Sequence, residues 1–107
     1  MPWSYWHRVE YFRIERGARV LVDTEDIDDH GPYLGRGGPE EYARLCAEDY
    51  LDRREAPPGR WLVVLWRLDQ GRKSRRLCET EVHWPGGPAA RQKVHQENTL
   101  TGPGGAR

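Results

Sequence analysis

Four cations in five residues, Arg72, Lys73, Arg75 and Arg76 around Ser74, form the strongest chemical signal in this 107-residue chain. Guanidinium groups pair with phosphates or carboxylates through two parallel hydrogen bonds, and a β-ribbon carrying them fits a duplex major groove. Arg13, Arg16 and Arg19 would flank such a contact. A charged turn also arises simply because turns are solvated, and like charges keep an edge strand from aggregating. A nucleic acid, an acidic protein partner and plain water are therefore three readings of one cluster.

The opposite pole lies at Asp23 to His30, with five acids and no base. Asp26, Asp28, His30 and Gly31 imitate the start of a calcium loop, with ligands at alternate positions and glycine sixth. The twelfth position is Gly37 instead of a bidentate Glu, and no helix precedes the loop, which excludes an EF-hand. A looser Mg²⁺ or Zn²⁺ site on Asp26, Asp28 and His30, serving a small hydrolase, is a third-ranked functional reading. No metal or other cofactor is assigned on this basis.

Other catalytic patterns fit poorly. Ser4 and Ser74 are the only serines, no G-x-S-x-G elbow is present, and His7, His30, His83 and His95 are scattered. Glu79, Glu81 and His83 share a strand face like an acid–base cluster, but alternating charge on an exposed strand gives the same pattern. The loop from Gly31 to Pro39 precedes a helix, yet its spacing matches neither a P-loop nor a dinucleotide fingerprint, and Glu40 and Glu41 already occupy the positive helix end. The expectation is a non-enzymatic protein with no identifiable small-molecule ligand.

Seventeen basic and seventeen acidic residues cancel, which excludes binding of nucleic acid by bulk charge alone. The length allows one small domain. No apolar run approaches the span of a bilayer and no signal-type segment follows the start, so a cytoplasmic location without membrane contact is expected. Lys73 and Lys93 are the only lysines, and Phe12 and Asn98 are alone of their kinds. Residues with AT-rich codons are thus scarce, so the arginine excess reads first as the mark of a high-GC, bacterial genome. Cys46 and Cys78 fall in different elements on apolar faces, which suits reduced thiols; a bridge between helix and sheet is the alternative.

The elements that must position these groups follow from periodicity. Trp6 to Glu15 and Ala18 to Val22 are β-rich runs around Arg16-Gly17, a hairpin signal. Asp23 to Gly38 shows no regular pattern. From Pro39 a helix is expected: proline suits its first turn, and Tyr42, Ala43, Cys46, Ala47, Tyr50 and Leu51 share one half of the wheel. Leu45 is stranded on the charged half. Ala56-Pro57-Pro58-Gly59 stops the helix. Arg60 to Leu68, apolar at nearly every position, reads as a central strand, and Gln70-Gly71 turns into a return strand from Ser74 to Trp84. The expected fold is α+β: β-β-α-β-β, a mostly antiparallel four-stranded sheet with one helix on one face. The domain would occupy 1–84, and 85–107, rich in Gly and Pro, would be a flexible, disordered tail.

One helix covers only one face, while the central strand is apolar on both. Trp61, Val63 and Leu65, or Leu62, Val64 and Trp66, should then be left uncovered. Trp and Tyr dominate interface hot spots. Trp61, Trp66, Trp84, Tyr11 and Leu45 are accordingly the candidate partner-binding residues, and a protein-interaction or regulatory module, joining itself or another protein through an aromatic sheet face, is the first functional reading. Nucleic-acid binding through Arg72 to Arg76 is the second.

Overall fold

The computed structural model describes residues 4–87. The elements run β1 (Trp6–Glu15), β2 (Ala18–Asp28), α1 (Gly31–Leu34), α2 (Gly38–Arg53), β3 (Gly59–Asp69) and β4 (Arg72–Trp84). The strands form one antiparallel sheet in the order β2-β1-β3-β4, so two local hairpins meet along a non-local β1–β3 seam. Both hairpins turn on two residues with positive φ, Arg16 (54°) and Gly17 (79°), then Gln70 (52°) and Gly71 (79°). Turns of that hand match the twist of the strands they join, and the glycine takes the left-handed conformation without Cβ strain.

α2 opens with Pro39 in its first turn and with Glu40 and Glu41 at its positive end. Ala43 and Ala47 are fully buried beside Tyr50 and Leu51. The two alanines let the helix axis approach the sheet closely, against Val9 and Tyr11 of β1, Trp61, Val63 and Leu65 of β3, and Cys78, Val82 and Trp84 of β4. The Tyr11 and Tyr50 rings stack at 4.0 Å with an interplanar angle of 6°. Trp84 donates its indole N–H to the Ala56 carbonyl at 3.1 Å, fixing the chain where it leaves the helix. His7 is fully buried under α2. Its Nδ1 donates to the Tyr5 carbonyl (2.9 Å), which can only accept, so Nε2 accepts the Tyr42 hydroxyl (2.8 Å).

The α+β architecture and element order match the sequence reading, with three corrections. Asp23 to Asp28, expected to be irregular, continues β2. Asp23 and Glu25 pair with Tyr11 and Val9 in register, so they face α2, where Tyr50, Tyr11, Arg53 and Arg54 receive them. Acids read as strand breakers in isolation because the partners that hold them lie on other elements. Gly31–Leu34, also expected to be irregular, forms one turn of helix. The third concerns the domain boundary: Gly86 and Gly87, assigned to the tail, are buried. A Cβ on Gly87 would meet the Asp52 carboxylate at 2.1 Å, so the packed chain runs past Trp84. The remaining tail positions, 88–107, lie outside the described residues. Cys46 and Cys78 are free thiols. Among the described residues no helix is long and apolar enough to cross a membrane.

Candidate interaction surface

The face of the sheet turned away from α2 does not expose the central strand. Leu62 and Val64 are only 8% and 3% accessible there, although no helix among the described residues lies over them. Long charged side chains form the cover, using their methylene stems against the apolar floor and their heads against one another. Arg8 of β1 clasps Asp26 of β2 through two hydrogen bonds, Nε to Oδ1 at 2.7 Å and Nη2 to Oδ2 at 3.0 Å. Glu10 of β1, 6% accessible, takes Lys73 Nζ at 2.6 Å and the Trp66 indole N–H at 2.8 Å. Lys73 also lies 4.7 Å from the centre of the Trp66 ring. Arg19 of β2 passes over Phe12 and reaches Glu79 of β4 at 3.3 Å, with Arg76 on the other oxygen. The two edge strands of the sheet are thus tied by one side chain, which requires the sheet to curl across this face.

This arrangement redistributes the candidate residues. Tyr11, Trp61 and Trp84 are core residues beneath α2, and Trp66 is half-buried in the Glu10–Lys73 group. None of the first three is offered to a partner in this fold. Sequence reasoning missed the cover because it counted helices and ignored charged side chains on neighbouring strands. Leu45 stands on the outer side of α2 at 52% accessibility. Of the basic tip, Lys73 and Arg76 are tied to carboxylates, whereas Arg72 and Arg75 carry no side-chain partner among the described residues. Arg75 stands directly across from Arg67, which donates to the Tyr33 hydroxyl at 3.2 Å.

The apolar surface that remains is elsewhere. Val20, Leu21 and Val22 are 43%, 51% and 44% accessible, three consecutive residues on the edge strand β2. Sequence reading placed them in a strand but had no signal that the strand would be an edge. Leu34 is exposed on α1, and Leu45 lines a shallow groove of about 260 Å³ with Tyr42 and Gly35 to Gly38. A wider cleft of about 550 Å³ opens between Trp6, Asp26, Leu68 and Gly71.

The groups considered for chemistry are occupied or poorly activated. Asp26 is held by Arg8, and Asp28 accepts the Tyr5 amide at 2.8 Å. The His30 carbonyl accepts the amides of Tyr33 and Leu34, and its ring packs on Tyr5. The fold does not bring these three into a set: no group of three or more His, Cys, Asp or Glu with metal-binding geometry occurs among the described residues. Glu81 is bound by Arg60 at 2.6 Å, which holds its carboxyl below the usual range, and Glu79 is shared by two arginines. The Cys46 thiol is pushed up to about 11, first by burial and then by the carboxylates of Asp29, Glu25 and Asp49. A thiol of that kind is a weak nucleophile near neutral pH.

The Arg8 clasp gives an acid-side prediction. Its hydrogen bonds hold Asp26 below the ordinary carboxylate range. A depressed carboxylate contributes stability that is present above its unfolded value of about 4 and lost as pH falls through the folded one. Asp26→Asn should therefore be destabilised at pH 6 and converge with wild type on acidification. Urea titrations at stepped pH check this, and a gap that persists unchanged in acid refutes it.

Compared with protein-family models, with curated proteins and with solved structures, the chain matches none. The reading of its function rests on the surface geometry alone.

Proposed function

We propose that this chain is a small protein-association module, regulatory in effect, that recognises a protein through the free edge of β2. The observation that carries the reading is the exposure of Val20, Leu21 and Val22 side by side on β2, an edge strand whose outer side has no strand beside it among the described residues. An edge strand offers a row of backbone donors and acceptors, and natural proteins usually guard it with charge, proline or bulges. β4, the other edge, is guarded in this way: it bulges at two places and begins with four cations. The segment from Ala18 to Leu21 pairs regularly with β1 and carries a single charge, on Arg19. Strand addition supplies affinity through main-chain hydrogen bonds and selectivity through side chains at the contact. The test is association measured by sedimentation and by capture of purified candidate partners, with Leu21→Lys as the paired sample. Association lost in Leu21→Lys supports the reading; equal behaviour of both chains rejects it.

A second reading keeps nucleic acid as the partner, because Arg72 and Arg75 have no carboxylate partner among the described residues. The magnitude is small: each phosphate neutralised steepens the dependence of log K on log salt by about 0.9, so two free arginines give a slope near −2 and weak binding. Duplex titrations at several salt concentrations measure that slope. Arg72→Ala with Arg75→Ala should abolish it; an unchanged slope removes this reading.

A further inference from the structure

We infer that the partner taken up by the β2 edge is a second copy of this chain, paired antiparallel about a two-fold axis at Val20; the inference rests on the edge-strand reading above. Counting from the two-residue turn, Ala18 and Val20 direct their backbone groups to β1, opposite Glu15 and Arg13. Arg19 and Leu21 then direct theirs outward, at a sheet edge with no neighbouring strand among the described residues. The pairing with β1 is regular from Ala18 to Leu21 and bulges at Val22, between the residues that face Phe12 and Tyr11. Beyond the bulge the edge is less free, because Asp23 Oδ1 already accepts the Thr24 amide at 2.8 Å.

Only one two-fold pairing uses the regular stretch in full. It sets Arg19 of each copy against Leu21 of the other, exchanging backbone hydrogen bonds twice, and it brings the two Val20 residues together on the axis. Charge favours the same direction. The turn half of β2 holds Arg19 and no acid, with Arg16 in the turn just before it, whereas the other half holds Asp23, Glu25, Asp26 and Asp28. Antiparallel pairing lays each basic half along the acidic half of the second copy; parallel stacking would lay like on like. Val20, Leu21 and Val22 lose part of their exposure in the joint, through contact with the side chains across the new strand pair. The product is one continuous eight-stranded sheet whose outer edges are the two guarded β4 strands.

Geometry fixes the test. Residues at a non-hydrogen-bonded antiparallel position have Cα atoms about 4.5 Å apart, within reach of a disulfide. Val20→Cys should oxidise rapidly to a reducible dimer, and Leu45→Cys, on the exposed side of α2, should not. Val20→Lys places two cations on the axis and should raise the dissociation constant by about tenfold or more in sedimentation equilibrium. Circular dichroism on each variant reports whether it folds. A wild-type chain that stays monomeric at high concentration, or Val20→Cys oxidising no faster than Leu45→Cys, overturns the proposal. If such a monomer still binds another purified protein and Val20→Lys loses it, the second copy is wrong and the edge-strand reading stands. If Val20→Lys changes no association at all, both fall.

Discussion

Tyr11→Ala should destabilise the domain by about 3–5 kcal/mol, the range for truncating a large buried side chain. The ring is fully buried, stacked on Tyr50, and its hydroxyl donates to Glu25 at 2.7 Å. Alanine removes the packed ring that joins β1 to α2 and leaves a void the rigid sheet cannot close. Tyr11→Phe keeps the stack and loses one hydrogen bond to a charged acceptor, worth about 1.5 kcal/mol, because Glu25 retains Arg53 at 3.1 Å. Urea unfolding of the two variants checks the order, and an alanine variant as stable as the phenylalanine one refutes it. Alkali gives a second readout. Burial, reinforced by Glu25, raises the Tyr11 phenol above its usual range, and burial also raises Tyr42 and Tyr50. A raised group contributes stability that is fully present below its unfolded value of about 10 and lost as pH climbs toward the folded value. Stability should therefore fall above pH 10, and Tyr11→Phe should fall less steeply.

The Glu10–Lys73–Trp66 group predicts a large asymmetry. Lys73→Met should cost about 2–3 kcal/mol, since it leaves the buried Glu10 carboxylate with only the Trp66 indole. That figure is below the full penalty for breaking a buried pair because the Lys73 side chain is 40% accessible and water screens the contact. Glu10→Leu removes the buried charge itself and lets Lys73 turn to solvent, so it should cost less. The double variant should recover most of the Lys73→Met loss, as replacing a buried ion pair by apolar side chains often does. A four-member denaturation cycle measures the coupling. Strictly additive losses would show that the pair is a surface contact and the cover is held by something else.

These two groups also mark how far the chain could be read without its fold. The hairpins, the helix and the central strand are local patterns: Arg16-Gly17 and Gln70-Gly71 announce turns, and Ala43, Ala47, Tyr50 and Leu51 announce a buried face. What stayed hidden depended on contacts between distant elements. The run from Asp23 to Asp28 reads as a breaker until Tyr11, Tyr50, Arg53 and Arg54 are set beside it. Either face of β3, Trp61, Val63 and Leu65 or Leu62, Val64 and Trp66, reads as a docking face until α2 is set on the first and Glu10, Lys73 and Arg19 are laid across the second. Strand order is equally hidden, so nothing local distinguishes the buried Tyr11, Trp61 and Trp84 from surface aromatics, and the exposure of Val20 to Val22 has no local signature. Periodicity reports which side of an element is apolar; it does not report what will lie against that side.

The seam between β1 and β3 has a consequence for how the chain reaches its native state. Each hairpin closes over two residues and can form early, but His7 meets Arg67 and Arg13 meets Trp61 only after the helix-bearing segment has been looped out. Closing that loop costs entropy before the seam returns any burial. Neither hairpin alone has a covered face, since the floor under α2 is drawn from both. The rate-limiting event should thus be the zipping of two preformed ribbons along β1 and β3, with Tyr11 and Leu65 in the nucleus and the edge strands committed only afterwards.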